Sequence, residues 1–150
     1  MTYTAQDALR DVIATACVSG CAKSKRGVVI FSPAQMVVAA NNSPPMPFRC
    51  DADEACRAVC NKVAVHAEER ALLAVGSRAR GCELLHVKVV NGYAVPSGPP
   101  SCWQCSRAIV EAGIVGVWLL HEDGLRRYDA LDFHRRTLAH HGITATTGGA

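Results

Sequence analysis

At 150 residues, 49% of them hydrophobic, the chain is the size of one ordinary domain and can bury roughly 70% of its unfolded surface around one core. A formal net charge of +3 and eight aromatic residues, with no basic stripe interleaved with stacking side chains, give no support for binding a nucleic-acid backbone. Residues 1–7 lack the basic start and apolar run of a signal peptide, and no apolar stretch reaches the roughly 18 residues of a membrane span, so a cytoplasmic location without membrane association is expected.

Helical and strand patterns alternate along the chain without a dividing linker. Residues 7–19 carry Ala8, Leu9, Val12, Ile13 and Ala16 at helical spacing. Residues 26–31 and 36–40 read as two strands joined by the turn Ser32, Pro33, Ala34 and Gln35. Residues 41–61 are turn-rich and bear cysteines; residues 63–75 resume helical spacing through Val65, Leu72 and Leu73 and stop at Gly76. A third strand covers 84–90, followed by a loop over 91–100 rich in glycine and proline. Ser101 is placed to cap a helix running to Glu111, with Gly113 past its end, and the apolar run 114–120 suits a buried strand. An amphipathic helix over 130–140 follows. The order α-β-β-α-β-α-β-α predicts one α/β domain over residues 1–143, a sheet sandwiched by helices, with 144–150 a flexible tail.

The chemistry concentrates at His66, Ala67 and Glu68 and, 34 residues after Glu68, at Cys102, Trp103, Gln104 and Cys105. Two cysteines separated by two residues at a helix start aim both sulfurs at one metal, and a histidine at a second helix start completes a three-ligand set that leaves one zinc position open. Glu68, two residues from the ligand, is close enough to take a proton from a water on the metal and later return it; Glu69 competes, but only the i+2 carboxylate fits the pattern H-x-E then C-x-x-C. That pattern is the signature of zinc-dependent nucleobase deaminases, in which a water activated by the metal attacks the ring carbon bearing an exocyclic amine. In a reducing compartment the eight cysteines also point to metal rather than to disulfides.

The segment Cys21-Ala22-Lys23-Ser24-Lys25-Arg26-Gly27, the run Asn41-Asn42-Ser43-Pro44 with Cys50 nine residues after Asn41, and Cys56 and Cys60 at ten and six residues before His66 together resemble the deoxycytidylate (dCMP) deaminase family, within the cytidine deaminase-like superfamily. The resemblance runs from about residue 7 to 120. It implies a three-layer α-β-α fold with a central mixed sheet. It also implies a catalytic zinc on His66, Cys102 and Cys105, and a second, structural zinc on Cys21, Cys50, Cys56 and Cys60. Cys17, one helical turn before Cys21, is the rival ligand or a small buried residue. With six thiolates and two Zn²⁺ in place, the formal charge of +3 becomes +1.

The resemblance also implies a small cytosine-type nucleotide or nucleoside as substrate, and assembly into a homo-oligomer in which the apolar face of residues 130–140 serves as an interface. Asn41 aligns with an asparagine that contacts the sugar; its other reading is a plain Asn-Asn-Ser-Pro turn. Ala67, Ser101 and Trp103 flank the metal ligands and are expected at the substrate pocket, although a tryptophan there also serves as packing. Three departures bear on that pocket. Ser101 stands between Pro99-Pro100 and Cys102, Arg70 stands where the family carries a neutral amide, and the loop His121-Glu122-Asp123-Gly124 presents two carboxylates that repel a phosphate unless Arg70, Arg126 or Arg127 offsets them. A deaminase of another aminated heterocycle (a free base or a purine), a deaminase of single-stranded nucleic acid and a purely structural zinc module remain open on these residues.

Overall fold

A computed structural model describes residues 1–54, 56–98, 100 and 102–145, and the backbone alone of Arg57 and Asn61. Helix α1 (Ala5–Cys17) starts at Thr4, whose hydroxyl accepts from the Asp7 N–H at 3.2 Å while the Asp7 carboxylate accepts from the Thr4 N–H at 2.9 Å. This reciprocal cap satisfies two helix-start donors and sets the helix start earlier than apolar spacing alone indicates. Ala8, Val12 and Ala16 form its fully buried stripe.

Strands β1 (Lys25–Phe31) and β2 (Met36–Asn41) make the expected antiparallel hairpin. Side chains alternate along β1: Val29 and Phe31 meet α1, whereas Val28 and Ile30 join a second cluster on the opposite face. Each fully buried aliphatic side chain of this kind contributes about 1.5–3 kcal/mol. Gly27 marks the closest approach of α1 to the sheet, because a Cβ there would lie 2.9 Å from the Val12 carbonyl oxygen and 3.0 Å from the Ala16 Cβ.

The sheet continues with β3 (Glu83–Val90), β4 (Tyr93–Val95), β5 (Gly116–His121) and β6 (Gly124–Asp129), in the order β2-β1-β3-β5-β6 with β4 paired to β3. Only β3 and β5 run parallel, so the sheet is mixed, as expected. Against the face opposite α1 pack α3 (Ala67–Val75), α4 (Trp103–Glu111) and α5 (Ala130–His140), through Ala67, Ala71, Val75, Ile109 and Ala130 onto Val28, Leu84, Val117 and Leu119. The result is the three-layer α-β-α arrangement. Among the described residues no helix is long and apolar enough to cross a membrane.

The structure differs from the sequence reading in several places. The helix expected over 63–75 is α3 and begins only at Ala67, and a helix not expected, α2 (Cys56–Val63), lies mostly in the stretch expected to be turn-rich. α2 ends where the backbone turns extended, and His66, at φ −63° and ψ 146°, is the N-cap of α3. The helix expected to be capped by Ser101 is capped by Cys102, and Ser101 lies outside the described residues. β4 follows an Asn91-Gly92 turn with both φ positive (51° and 83°), the geometry of a tight hairpin. β6 is a further strand, with Arg126, Arg127 and Asp129 exposed, so its apolar alternation is weak. α5 packs on the chain's own core through Ala130 and Thr137, 4% and 1% exposed, while its Leu131 is 43% exposed. Of the expected 144–150 tail, residues 146–150 lie outside the described residues.

Candidate active site

Two helix starts converge. His66 caps α3 and Cys102 caps α4, and these two helices pack against each other on the same face of the sheet. The Cys102 sulfur accepts from the Cys105 N–H at 3.3 Å, and this bond holds both sulfurs on the first turn of α4. The donor atoms of His66, Cys102 and Cys105 all lie within 4.8 Å of one another, the one group of three or more metal-ligating side chains drawn so tightly among the described residues.

The electrostatics of the group follow from its crowding. A hydrogen bond from the Cys105 thiol, then hydrogen bonds from His66 and from the Cys105 N–H, overcome burial and pull the Cys102 pKa down to about 4. The same Cys102 contact, joined by burial, pushes Cys105 up. His66 rests against both sulfurs, with Nδ1 3.2 Å from Cys105 Sγ, and its bond to Cys102 raises its pKa. The cluster thus holds a thiolate, a thiol and an imidazole that share protons, and a divalent cation can replace those protons. One nitrogen and two sulfurs match zinc in ligand type and number for a site that keeps a position open.

Glu68 stands in the first turn of α3 and borders two cavities that meet at the cluster. The larger, about 530 Å³, carries the cations Lys23, Arg26 and Lys88 beside Ser24 and Asn42 on its wall. The smaller, about 260 Å³, runs between the apolar side chains of Leu84, Ile109, Val117, Leu119 and Phe133, with Arg26, Glu68, His86 and Ser97 also on its wall. The Ser97 hydroxyl is buried without a hydrogen-bond partner among the described residues. Glu69 is exposed and borders neither cavity.

No family model matches the sequence, and no curated protein matches it. Solved structures do match. One is a dCMP deaminase from the cyanophage S-TIM5 in complex with dCMP and dUMP, 21% identical, covering 93% of this chain and 92% of that one at a TM-score of 0.62. Its apo form aligns at 19% identity, 88% and 90% coverage and a TM-score of 0.61. A cytidine deaminase from Burkholderia pseudomallei aligns at 16% identity, covering 87% of this chain and 96% of that one, at a TM-score of 0.61. The chain has the cytidine deaminase-like fold.

Within this fold the expected site residues divide. His66, Ala67, Glu68 and Cys102 all line the larger cavity, and Cys105 lines the smaller. Arg70, expected at the pocket, instead donates to the carbonyls of Asn41 and Ser43. The Asn41 side chain donates to the Thr15 carbonyl at 3.2 Å and accepts from Ser43 N and Oγ at 3.1 and 2.7 Å, so it secures the end of β2. Among the described residues neither Asn41 nor Arg70 borders the two cavities, and Trp103 lies under the Arg107 guanidinium at 5.1 Å rather than at either wall. Arg126 pairs with Asp123 and Arg127 with Glu83, so neither serves the cavity.

Cys21, Cys50, Cys56 and Cys60 all line one cavity of about 190 Å³, with Cys50 Sγ 3.8 Å from Cys56 Sγ. Hydrogen bonds from the Ala22 and Ala52 N–H groups hold Cys50 below the usual thiol range, whereas burial and the Cys50 contact raise Cys56. Cys17 borders a different pocket, and Cys82 is buried with its thiol on the Arg78 carbonyl at 3.3 Å.

Four charged or titratable residues at the site escaped the sequence reading: Lys23, Arg26, His86 and Lys88. On the paired strands Arg26 sits opposite Lys88, and Val28 opposite His86. The available signal was the alternation Leu84, His86, Lys88, which breaks an apolar strand with polar side chains on its core-facing side.

Proposed function

We propose that this chain is a zinc-dependent hydrolytic deaminase that releases ammonia from a small cytosine-type nucleotide or nucleoside. The observation that carries this reading is the closure of His66, Cys102 and Cys105 to within 4.8 Å, with Glu68 on the walls of the two cavities that meet there. Zinc bound by these three residues supplies the Lewis acidity that makes a water reactive at neutral pH.

The chain's own residues do the rest. Glu68 accepts the proton of the attacking water on a carboxylate oxygen as the C–O bond forms at the amine-bearing ring carbon. It gives that proton to the adjacent ring nitrogen. It then carries the remaining hydroxyl proton to the amine nitrogen, so that the C–N bond breaks and ammonia leaves. Leu84, Ile109, Val117, Leu119 and Phe133 hold the ring and exclude bulk water. Lys23, Arg26 and Lys88 favour an anionic substituent in the larger cavity, which supports a nucleotide over its nucleoside. A structural zinc on Cys21, Cys50, Cys56 and Cys60, a homo-oligomeric assembly and a reducing, cytoplasmic setting belong to the same reading, in which none of the eight cysteines is joined in a disulfide.

The test is ammonia release from zinc-loaded protein over cytosine, cytidine, deoxycytidine, dCMP, adenine- and guanine-bearing compounds and single-stranded DNA. A cytosine-type small molecule should give the highest kcat/KM. Glu68→Gln should reduce turnover at least about 10²-fold with metal content unchanged, and Glu69→Gln should be close to silent. Exclusive activity on purines or on single-stranded DNA would overturn the substrate, and full turnover by Glu68→Gln would overturn the mechanism.

A further inference from the structure

We propose that His86 is the positioning residue of this site, its Nε2–H donating to Glu68 Oε1 so that the carboxylate is held in one orientation for proton transfer. This role has the deaminase reading of Glu68 as its premise and adds a residue to it. His86 lies on β3, in the interior of the sheet, with Val28 opposite on β1 and Leu119 opposite on β5. It is 9% exposed, and its strand neighbours Leu84, Leu85 and Val87 are fully buried aliphatic side chains. A polar ring there needs a partner.

Among the described residues the ring makes no hydrogen bond, and Glu68 Oε1 is its one charged partner, 3.6 Å from Nε2. Hydrogen bonds of acid-base groups are commonly this long in a free site and shorten when substrate is bound. His86 also borders both cavities, as Glu68 and Cys102 do, and so stands where they meet.

The donor can be assigned from chemistry. An ionised carboxylate only accepts, so the imidazole nitrogen facing it carries the hydrogen. Burial, aided by Arg26 and His66 and opposed by Glu68, lowers the His86 pKa, which keeps the ring neutral and leaves one N–H to give. Glu68 is 19% exposed in its side chain and sits on the first turn of a helix, with three side-chain torsions of its own to fix. A donor fixed on a sheet strand removes part of that freedom and leaves the second carboxylate oxygen for the proton it moves. The aliphatic neighbours of His86 would pack as well against leucine, so packing alone does not call for the nitrogen.

Two variants and one spectrum test the assignment. In zinc-loaded protein, His86→Leu should lower kcat about 10- to 100-fold with KM and zinc per chain unchanged, and His86→Gln, which keeps an N–H donor, should recover most of the loss. Histidine-ring ¹H–¹⁵N spectra of the wild type should show His86 as the Nε2–H tautomer, with an Nε2 resonance that shifts in Glu68→Ala. Wild-type kcat in His86→Leu, an equal loss in His86→Gln, or an Nδ1–H tautomer would each overturn the proposal. A wild-type protein that releases no ammonia from any compound would instead remove the deaminase reading, and the spectrum would still decide the pairing. Because the spectrum needs no His86 variant, misfolding of His86→Leu leaves the proposal open to refutation.

Discussion

The guanidinium of Arg70 reaches the Asn41 carbonyl at 2.7 Å and also donates to the Ser43 carbonyl, tying α3 to the end of β2. This cation therefore secures a loop. The charges that face the larger cavity come from Lys23, Arg26 and Lys88.

Arg70→Ala should accordingly act on stability, by about 1.5–3 kcal/mol for loss of charge-assisted bonds to two carbonyls. Urea unfolding checks this. The ratio of kcat/KM for dCMP over deoxycytidine should stay near the wild-type value in that variant. In Arg26→Ala or Lys88→Ala it should fall about tenfold, the equivalent of one charge-assisted contact. A collapse of the ratio in Arg70→Ala alone would return the phosphate to Arg70.

Metal analysis separates the two cysteine sets. Fully loaded protein should carry two zinc ions per chain, one lost in His66→Ala and the other in Cys50→Ser. The first loss should abolish activity and spare the fold. The second should increase hydrogen exchange across residues 41–61, since metal binding there supplies folding free energy. One zinc per chain at saturation would show that the four cysteines around the 190 Å³ cavity do not bind it.

Gly27→Ala tests how closely α1 is seated. The added methyl group meets backbone on α1, the Val12 carbonyl oxygen at 2.9 Å and the Ala16 nitrogen at 3.0 Å, rather than a side chain that can swing away. A loss of about 1–3 kcal/mol in urea unfolding is expected. An unchanged midpoint would mean that the helix retreats without cost.

Asp7 should make the stability of α1 depend on acid. Hydrogen bonds from the Thr4 hydroxyl and then the Thr4 N–H depress its folded pKa below the usual carboxylate value. Its contribution is therefore complete above the unfolded pKa, about 3.9, and is lost as pH falls through the lower folded value. Asp7→Asn should be less stable than wild type at neutral pH, and the two should converge in strong acid. Urea midpoints across the acid range check the sign; a gap that widens on acidification would reverse it.

Sequence alone determined the parts of this protein that depend on near neighbours. His66 with Glu68, and Cys102 with Cys105, sit at helix starts, where a spacing of two or three residues already places donor atoms on one side of the backbone. Turn residues and alternation likewise set the β1–β2 hairpin, and amphipathic spacing set α5 over Ala130–His140. β6 went unread because its outward face is charged, and the Cys56–Val63 helix because cysteines in a turn-rich stretch obscure helical spacing. Only the tertiary structure decided which charges face the cavity. Arg26 reaches it because β1 pairs with β3 in the register that sets Arg26 opposite Lys88 and Val28 opposite His86, and a shift of β1 by one residue would turn Arg26 and Val28 to the other face. Strand register is a property of residues some sixty positions apart, and no local pattern encodes it.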